Sequence, residues 1–501
     1  MPGNLKNNQS LSESHYAAEL RRALQDRGLQ ELLQGEIGPF TIRYLFINEY
    51  VGYVTLKKSN AAYRPAIETA KRLRFNKIFA LIREIARKKS NARTDFLFVS
   101  RDRQVKAKIK SGYLTGDYIF YSVIDELARR CPECKHHLYI IDDSYDKYHY
   151  ATLMDLAGSI YTATKIYFKW VFYNKELLER LNYLDCNHVT STISNFFRPR
   201  MLLRIALMGY SMARMFSQTK PKVIVSNDDC MYTRPLNSNA KMVVLQSARM
   251  ANYLEECKEL IFQEHGLRPE FFLSSGRNFA KLKERHNEAE NVLITGLPRY
   301  DVLSNASEIY SRTEFFNEHK IDPSSKIVLW TTQCHVVSEE ENTANFQAVF
   351  GAIKDLRGIT LIIKQHPAEG KIYTETMRRY IEDYQINCLI APRDADTYEL
   401  LFISNLVVAK ASTTVMEAVA LNKPVIILNL SGEPDPVEYV QEGVALGIYA
   451  KADLKEGIKG LLSDDSELAS NRTGYVENYL YKMDGLATDR VVSLLIKLAN
   501  V

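Results

Sequence analysis

The sequence has no apolar run long enough to cross a bilayer. The longest, Leu202 to Met208, is broken by Arg204, whereas a spanning helix takes about 20 apolar residues. The N-terminal MPGNLKNNQSLSES also lacks the apolar centre of a secretory signal. From these two absences we expect a soluble protein on the cytoplasmic side. Cysteine is scarce: the chain of 501 residues holds seven, an odd number and scattered, which excludes a disulfide framework and fits a reducing compartment. One close pair occurs, in CPECKHH from Cys131 to His137. A Cys-x-x-Cys with a nearby histidine supplies part of a tetrahedral zinc site. No second pair completes it, so a loop with reduced thiols is expected.

What is present is an ordinary globular composition, 46% hydrophobic and 25% charged, with length for two or three domains. The net charge is +5, but between Lys57 and Lys110 seventeen Lys and Arg face four acids, so this stretch is +13 and the remainder −8. Such asymmetry points to an anionic surface or ligand. Lipid headgroups or an acidic glycan fit better than nucleic acid, because the aromatics Tyr63, Phe75 and Phe79 fall at helical spacing and read as core packing. Solvated helix faces remain the plainer reading of the charge.

After a polar tail, HYAAELRRALQDRGLQELL has the periodicity of a docking helix, and TIRYLFIN (Thr41 to Asn48) reads as a first strand. DFLFVS and HLYII read as short buried strands. Residues 155 to 220 read as helical, with Arg198, Arg200, Arg204 and Arg214 edging a Met- and Leu-rich face. Such a segment suits a membrane surface, but an internal helix is the expected reading. Strands then recur at KVIVS, MVVL, FFLS and NVLIT. After a connector from Ser304 to Pro323 they restart at KIVLWTTQ, ITLIIKQHP, NCLIAP, LVVA, PVIIL and GIYA. Alternation of this kind predicts an α/β fold of two Rossmann-like domains. The expected division is a tail and helix over 1–38, a first domain with a helical insertion over 39–305, a second over 306–485, and a terminal helix over 486–501.

In an open parallel sheet, ligands bind at the carboxyl ends of the strands. Ser412, Thr413 and Thr414 follow one strand and open a helix, whose unpaired N–H groups and dipole suit a phosphate. Glu417, one turn on, suits ribose hydroxyls. Read without a ligand, the same unit is a capped helix between two strands. Asp228 and Asp229 follow KVIVS and are the candidates for a base that deprotonates an acceptor hydroxyl; capping of the next segment is their plainer role.

The ordered set ITGLPRYDVL, VLWTTQ, KQHPAEG, KASTTVMEAVALNKPVIILN and DGLATDR resembles nucleotide-sugar glycosyltransferases of the GT-B class. The nearest resemblance is to the surface-polysaccharide branch with CDP-glycerol glycerophosphotransferases and UDP-N-acetylglucosamine 2-epimerases. It covers Lys222 to the end. It implies that His366 faces the donor phosphate together with Ser412, Thr413 and Thr414, that Glu417 holds the ribose, that Thr332 and Gln333 line the cleft, and that the last helix crosses back to the first domain. Two departures stand out. Ser247 occupies the place of a glycerophosphotransferase His-Gly, and no Arg-Pro-Glu of a 2-epimerase follows TIRYLFIN. The expected partners are a nucleotide-sugar donor, a glycan or lipid-linked acceptor, and an anionic inner-membrane face reached through 57–110. N–H groups, hydroxyls and a protonated His366 or Lys364 can stabilise the departing phosphate, and no Asp-x-Asp is read after a strand of the second half, so neither a metal nor a cofactor is expected.

Overall fold

The computed structural model describes residues 15–37, 40–58, 93–100, 104–109, 112–140, 149–227, 239–247, 268–285, 289–334, 337–367 and 369–500. Most of the basic stretch, with Tyr63, Phe75 and Phe79, lies outside them, as do Asp228 and Asp229.

The chain opens with helices α1 (His15–Leu24) and α2 (Arg27–Leu32), where one docking helix was expected. Asp26 divides them: its Oδ1 accepts from Leu29 N at 3.0 Å and caps the second. A two-residue hairpin, β1 (Glu36–Ile37) and β2 (Phe40–Thr41), follows. The expected strand at TIRYLFIN is instead the start of helix α3 (Ile42–Lys58). Thr41 Oγ1 accepts from Tyr44 N at 3.1 Å and opens it. Ile42, Tyr44, Leu45, Phe46 and Ile47 are all buried, and an apolar run buried on every side has no periodicity to separate helix from strand.

The first sheet contains β3 (Phe96–Ser100). Between it and helix α4 (Tyr121–Arg130), an antiparallel hairpin of β4 (Gln104–Ile109) and β5 (Gly112–Asp117) stands apart. β6 (His136–Ile140) leads to three helices, α5 (Leu153–Tyr183), α6 (Asn187–Phe196) and α7 (Pro199–Thr219), in the stretch expected to be helical. Then come β7 (Val223–Asn227), β8 (Lys241–Leu245), β9 (Phe271–Ser274) and β10 (Asn291–Ile294). The order is β10-β9-β8-β7-β3-β6 with every pairing parallel.

The second sheet is built from β11 (Lys326–Thr331), helix α8 (Glu339–Lys354), β12 (Ile359–Lys364), β13 (Cys388–Ile390), β14 (Leu406–Ala409), helix α9 (Thr414–Ala420), β15 (Val425–Leu428) and β16 (Leu446–Ile448). Its order, β13-β12-β11-β14-β15-β16, is again all parallel. Counted within itself, this is the dinucleotide-fold order 3-2-1-4-5-6, while the first sheet has the flavodoxin-like order 2-1-3-4-5 extended by one strand.

Alternation along the strands sets the layers. Leu97 and Val99 of β3 face the core made by α1–α3 and α5–α7, while Phe96 and Phe98 face α4 and the final helix α10 (Ala487–Ala499). Val491, Val492 and Leu495 of α10 pack on Val223, Val243 and Leu273, so the last helix does cross back to the first sheet. Asp301 receives it, accepting from Ala487 N at 2.9 Å and Thr488 N at 2.7 Å. In the second sheet Ile327 and Leu329 face one layer, Val328 and Trp330 the other.

CPECKHH departs from the reduced-thiol expectation. A turn closed by Cys134 N on Cys131 O at 3.0 Å brings the two Cα atoms to 5.3 Å, and the pair is a disulfide.

Candidate functional site

An open parallel sheet has its binding crevice where the strand order reverses. In the second sheet that point lies between β11 and β14, and the residues following these two strands meet there. Gln333 Oε1 accepts from Ala411 N at 2.9 Å, and Thr331 Oγ1 lies 3.3 Å from Thr414 Oγ1. Ser412 Oγ accepts from Thr414 N at 3.2 Å, and Ser412 O from Val415 N at 3.1 Å, so Ser412, Thr413 and Thr414 form the turn into α9.

Thr332 is buried at the next position, its Oγ1 donating to both oxygens of Glu369 at 2.9 Å. Glu369 also accepts from Cys334 N at 2.8 Å and Gln365 Nε2 at 3.3 Å. This buried carboxylate ties the loop after β11 to the loop after β12. It sits in the KQHPAEG motif, but the resemblance gave it no role; an acid two residues past the His-Pro pair was its only signal. His366 is exposed and its carbonyl accepts from Glu369 N at 3.0 Å. Lys364 is buried, and Nζ donates to Arg393 O at 2.8 Å and Gln365 O at 3.3 Å. Burial lowers its pKa, and its donors hold the surrounding loops in place.

Glu417 is placed differently from an open ribose acceptor. It is 1% exposed, and Oε1 accepts from Arg299 Nη1 at 3.2 Å and from the Tyr118 hydroxyl at 3.4 Å. Arg299 follows β10 and Tyr118 follows β5, so this contact joins the carboxyl edges of the two halves. The Arg299 guanidinium lies 4.6 Å from the Tyr118 ring centre and 4.5 Å from that of Tyr300, and Nη2 donates to Tyr300 Oη at 2.9 Å. Burial pushes the Glu417 carboxyl up to about 7 against the pull of Arg299. Tyr118 is positioned by Asp117, which accepts from Ser100 Oγ at 2.5 Å, Ile119 N at 2.9 Å and Phe120 N at 3.0 Å. Neither Arg299 nor Tyr118 was singled out from sequence; a pair separated by 118 positions leaves no local pattern.

The candidate bases Asp228 and Asp229 lie outside the described residues, directly after Asn227 of β7. The first sheet reverses between β3 and β7, so β7 ends at its switch point. The expectation that no Asp-x-Asp follows a strand of the second half is corrected: Asp394-Ala395-Asp396 comes after β13, so metal independence cannot rest on its absence. Asp396 is engaged: it caps the next helix through Tyr398 N at 2.9 Å and accepts from Tyr310 Oη at 2.8 Å.

These features define the class: two Rossmann-like α/β domains with the GT-B architecture, their sheet edges joined through Glu417 and Arg299. Residues 271–496 match the family model of UDP-N-acetylglucosamine 2-epimerase, one of the relatives the sequence resembles, over the last strands of the first sheet, the whole second sheet and most of α10. No curated protein matches the sequence.

Among solved structures, the wall teichoic acid polymerase TagF superposes with a TM-score of 0.49 at 12% identity, covering 85% of this chain and 97% of that one. The S. aureus MnaA–UDP complex gives 0.46 at 14%, covering 81% and 97%. UDP-GlcNAc 2-epimerase from Neisseria meningitidis bound to UDP-GlcNAc gives 0.48 at 14%, covering 80% and 99%.

Proposed function

We propose that the chain is a glycosyltransferase that moves a sugar from a nucleotide-sugar donor to a glycan or lipid-linked acceptor in surface-polysaccharide synthesis. The observation that carries this reading is the gathering of Gln333, Thr331, Ser412 and Thr414 at the β11/β14 switch point, within the matched residues. The turn from Ser412 to Thr414 and the exposed His366 take the donor phosphates, with Lys364 and Glu369 holding the two loops. Glu417 takes the ribose once it parts from Arg299. Asp228 or Asp229 removes the acceptor hydroxyl proton, the oxygen attacks the anomeric carbon, and the nucleotide phosphate leaves. The charge gathered on that phosphate is stabilised by N–H groups, hydroxyls and His366, without a metal. The basic stretch from 57 to 110 keeps the enzyme at an anionic inner-membrane face or an acidic acceptor.

The family match favours a second reading, epimerisation at C2 of the donor sugar. Against it, the first strand of the first sheet ends at Ser100 and is followed in sequence by Arg101-Asp102-Arg103, with no Arg-Pro-Glu. A thermal-shift screen with UDP-, CMP-, CDP- and GDP-linked sugars identifies the donor, and NMR of the products separates transfer or hydrolysis from C2 inversion. The site assignment predicts that His366→Ala and Glu417→Ala abolish donor binding in calorimetry. Unchanged affinity in both variants would sink it. Donor binding without turnover in the wild type would instead make the protein a nucleotide-sugar-binding scaffold.

A further inference from the structure

Helix α5 turns one face to the protein and another away from it. Inward, Trp170 stacks on Phe197 at 5.1 Å and Thr162 Oγ1 meets Tyr210 Oη at 2.9 Å, with Ala163, Ile166, Leu177 and Leu181 buried. On the opposite face Met154 is 83%, Tyr161 69%, Phe168 66% and Phe172 83% exposed. Among the described residues, nine of the thirteen exposed large hydrophobic side chains lie on α5 or its C-cap.

The outward residues Met154, Ala157, Tyr161, Thr164, Phe168 and Val171 are spaced 3-4-3-4-3. That average of about 3.5 residues is the spacing of a helix-pair seam, and Leu153, Ile160 and Phe172 are exposed along its flanks. Thr164, exposed like the rest, keeps a methyl group for packing and a hydroxyl that can bond back to the carbonyl one turn earlier. Exposed Lys165 borders the seam, and exposed Lys175, four residues past Val171, ends its apolar run. At roughly 150–250 Å² for a full aromatic side chain and somewhat less for an aliphatic one, the exposed apolar groups from Leu153 to Phe172, seam and flanks together, present on the order of 800 Å². One partner of a standard stable interface contributes about 800 Å².

We propose that this seam is covered by α5 of a second copy of the chain, antiparallel, about a two-fold axis midway between Tyr161 and Thr164. The stripe is complementary to its own reverse. Under that axis Met154 meets Val171, Tyr161 meets Thr164 and Phe168 meets Ala157, so each larger side chain faces a smaller one. A two-fold contact of this kind closes on itself. Lys165 falls opposite Gly158 on the flank of the seam and not opposite its own copy.

Sedimentation equilibrium of the full chain tests this. The wild type is expected to be a dimer, and Phe168→Glu to raise the dimer dissociation constant by at least 100-fold while its circular dichroism spectrum stays that of the wild type; its thermal midpoint falls to that of the dissociated wild type. Met154→Cys/Val171→Cys is expected to form a disulfide-linked dimer on oxidation, with the 154–171 cross-link found by peptide mass. A wild type monomeric throughout the concentration range overturns the proposal. So does a dimer indifferent to Phe168→Glu, or a monomer whose binding to phosphatidylserine vesicles is abolished by Phe168→Glu, which would make the seam a lipid contact.

Discussion

Replacing Arg299 by Met leaves the Glu417 carboxyl in a fully desolvated position without its counter-charge. Removing one partner of a buried ion pair costs about 3–5 kcal/mol when the other remains charged. The remaining carboxyl limits that cost by protonating. Its folded-state pKa of about 7 already stands above its ordinary value of 4.5, with burial as the main cause. Protonation therefore favours the folded state. The stabilisation is complete below about pH 4.5, and it is lost as pH rises through 7. A displacement of this size is worth roughly 3 kcal/mol at 1.36 kcal/mol per pKa unit. Without Arg299 the carboxyl stays neutral to higher pH, so Arg299→Met is expected to be destabilised least near pH 5.5 and by several kcal/mol at pH 8. Urea unfolding at both pH values measures this. Glu417→Gln is expected to flatten the wild-type dependence over the same window, and Arg299→Met/Glu417→Gln to recover much of the loss at pH 8. Equal stability of Arg299→Met and wild type at pH 8, or a Glu417→Gln protein with the wild-type pH slope, would refute the reasoning.

Three further outcomes follow from single contacts. A Cβ on Gly276 would lie 2.3 Å from the Tyr479 carbonyl carbon, so Gly276→Ala is expected to cost about 1–3 kcal/mol, read as a lower thermal midpoint. Glu369→Ala strands the Thr332 hydroxyl and the Cys334 N–H, both buried; a loss of about 1–3 kcal/mol should be accompanied by weaker donor binding in calorimetry. Asp301→Ala removes the acceptor for Ala487 N and Thr488 N, costing about 1–2 kcal/mol, and limited proteolysis should then release the last helix sooner than in wild type.

The elements that were legible in the sequence share a physical feature. Strands such as Phe96–Ser100, Val223–Asn227 and Leu406–Ala409 are short apolar runs between polar or charged turns, as both-face burial in a parallel sheet demands. The same criterion misread residues 41–48, because burial inside a layer of helices makes an equally unbroken apolar run. The Ser412–Thr414 turn and the strand-end polar residues could be placed because each is adjacent to its strand. Arg299 was in view within GLPRYD, but its contact with Glu417 depends on the approach of two sheet edges, and no spacing encodes that. Tyr118 was hidden further, since its position depends on Asp117 accepting from residues on both sides of a hairpin's end.

That Glu417 contact also constrains how a donor could enter. A carboxylate can accept from two ribose hydroxyls at once, whereas the protonated acid has given one oxygen to its own hydrogen. If the ribose is held by the ionised form, the fraction of Glu417 that is ionised limits affinity. With a carboxyl at about 7, acidification from pH 8 to pH 6 should weaken donor binding about tenfold. Over the same interval the fold itself gains stability, by the sign worked above. Opposed dependences from one residue are hard to obtain from a general effect of pH on the protein. Calorimetric titration of the donor at pH 6 and pH 8, in wild type and in Glu417→Gln, separates the two: the wild type should lose affinity on acidification and the Gln variant should bind weakly with no such trend. Equal donor affinity at both pH values in the wild type would remove Glu417 from the ribose and leave it a strut between the two halves.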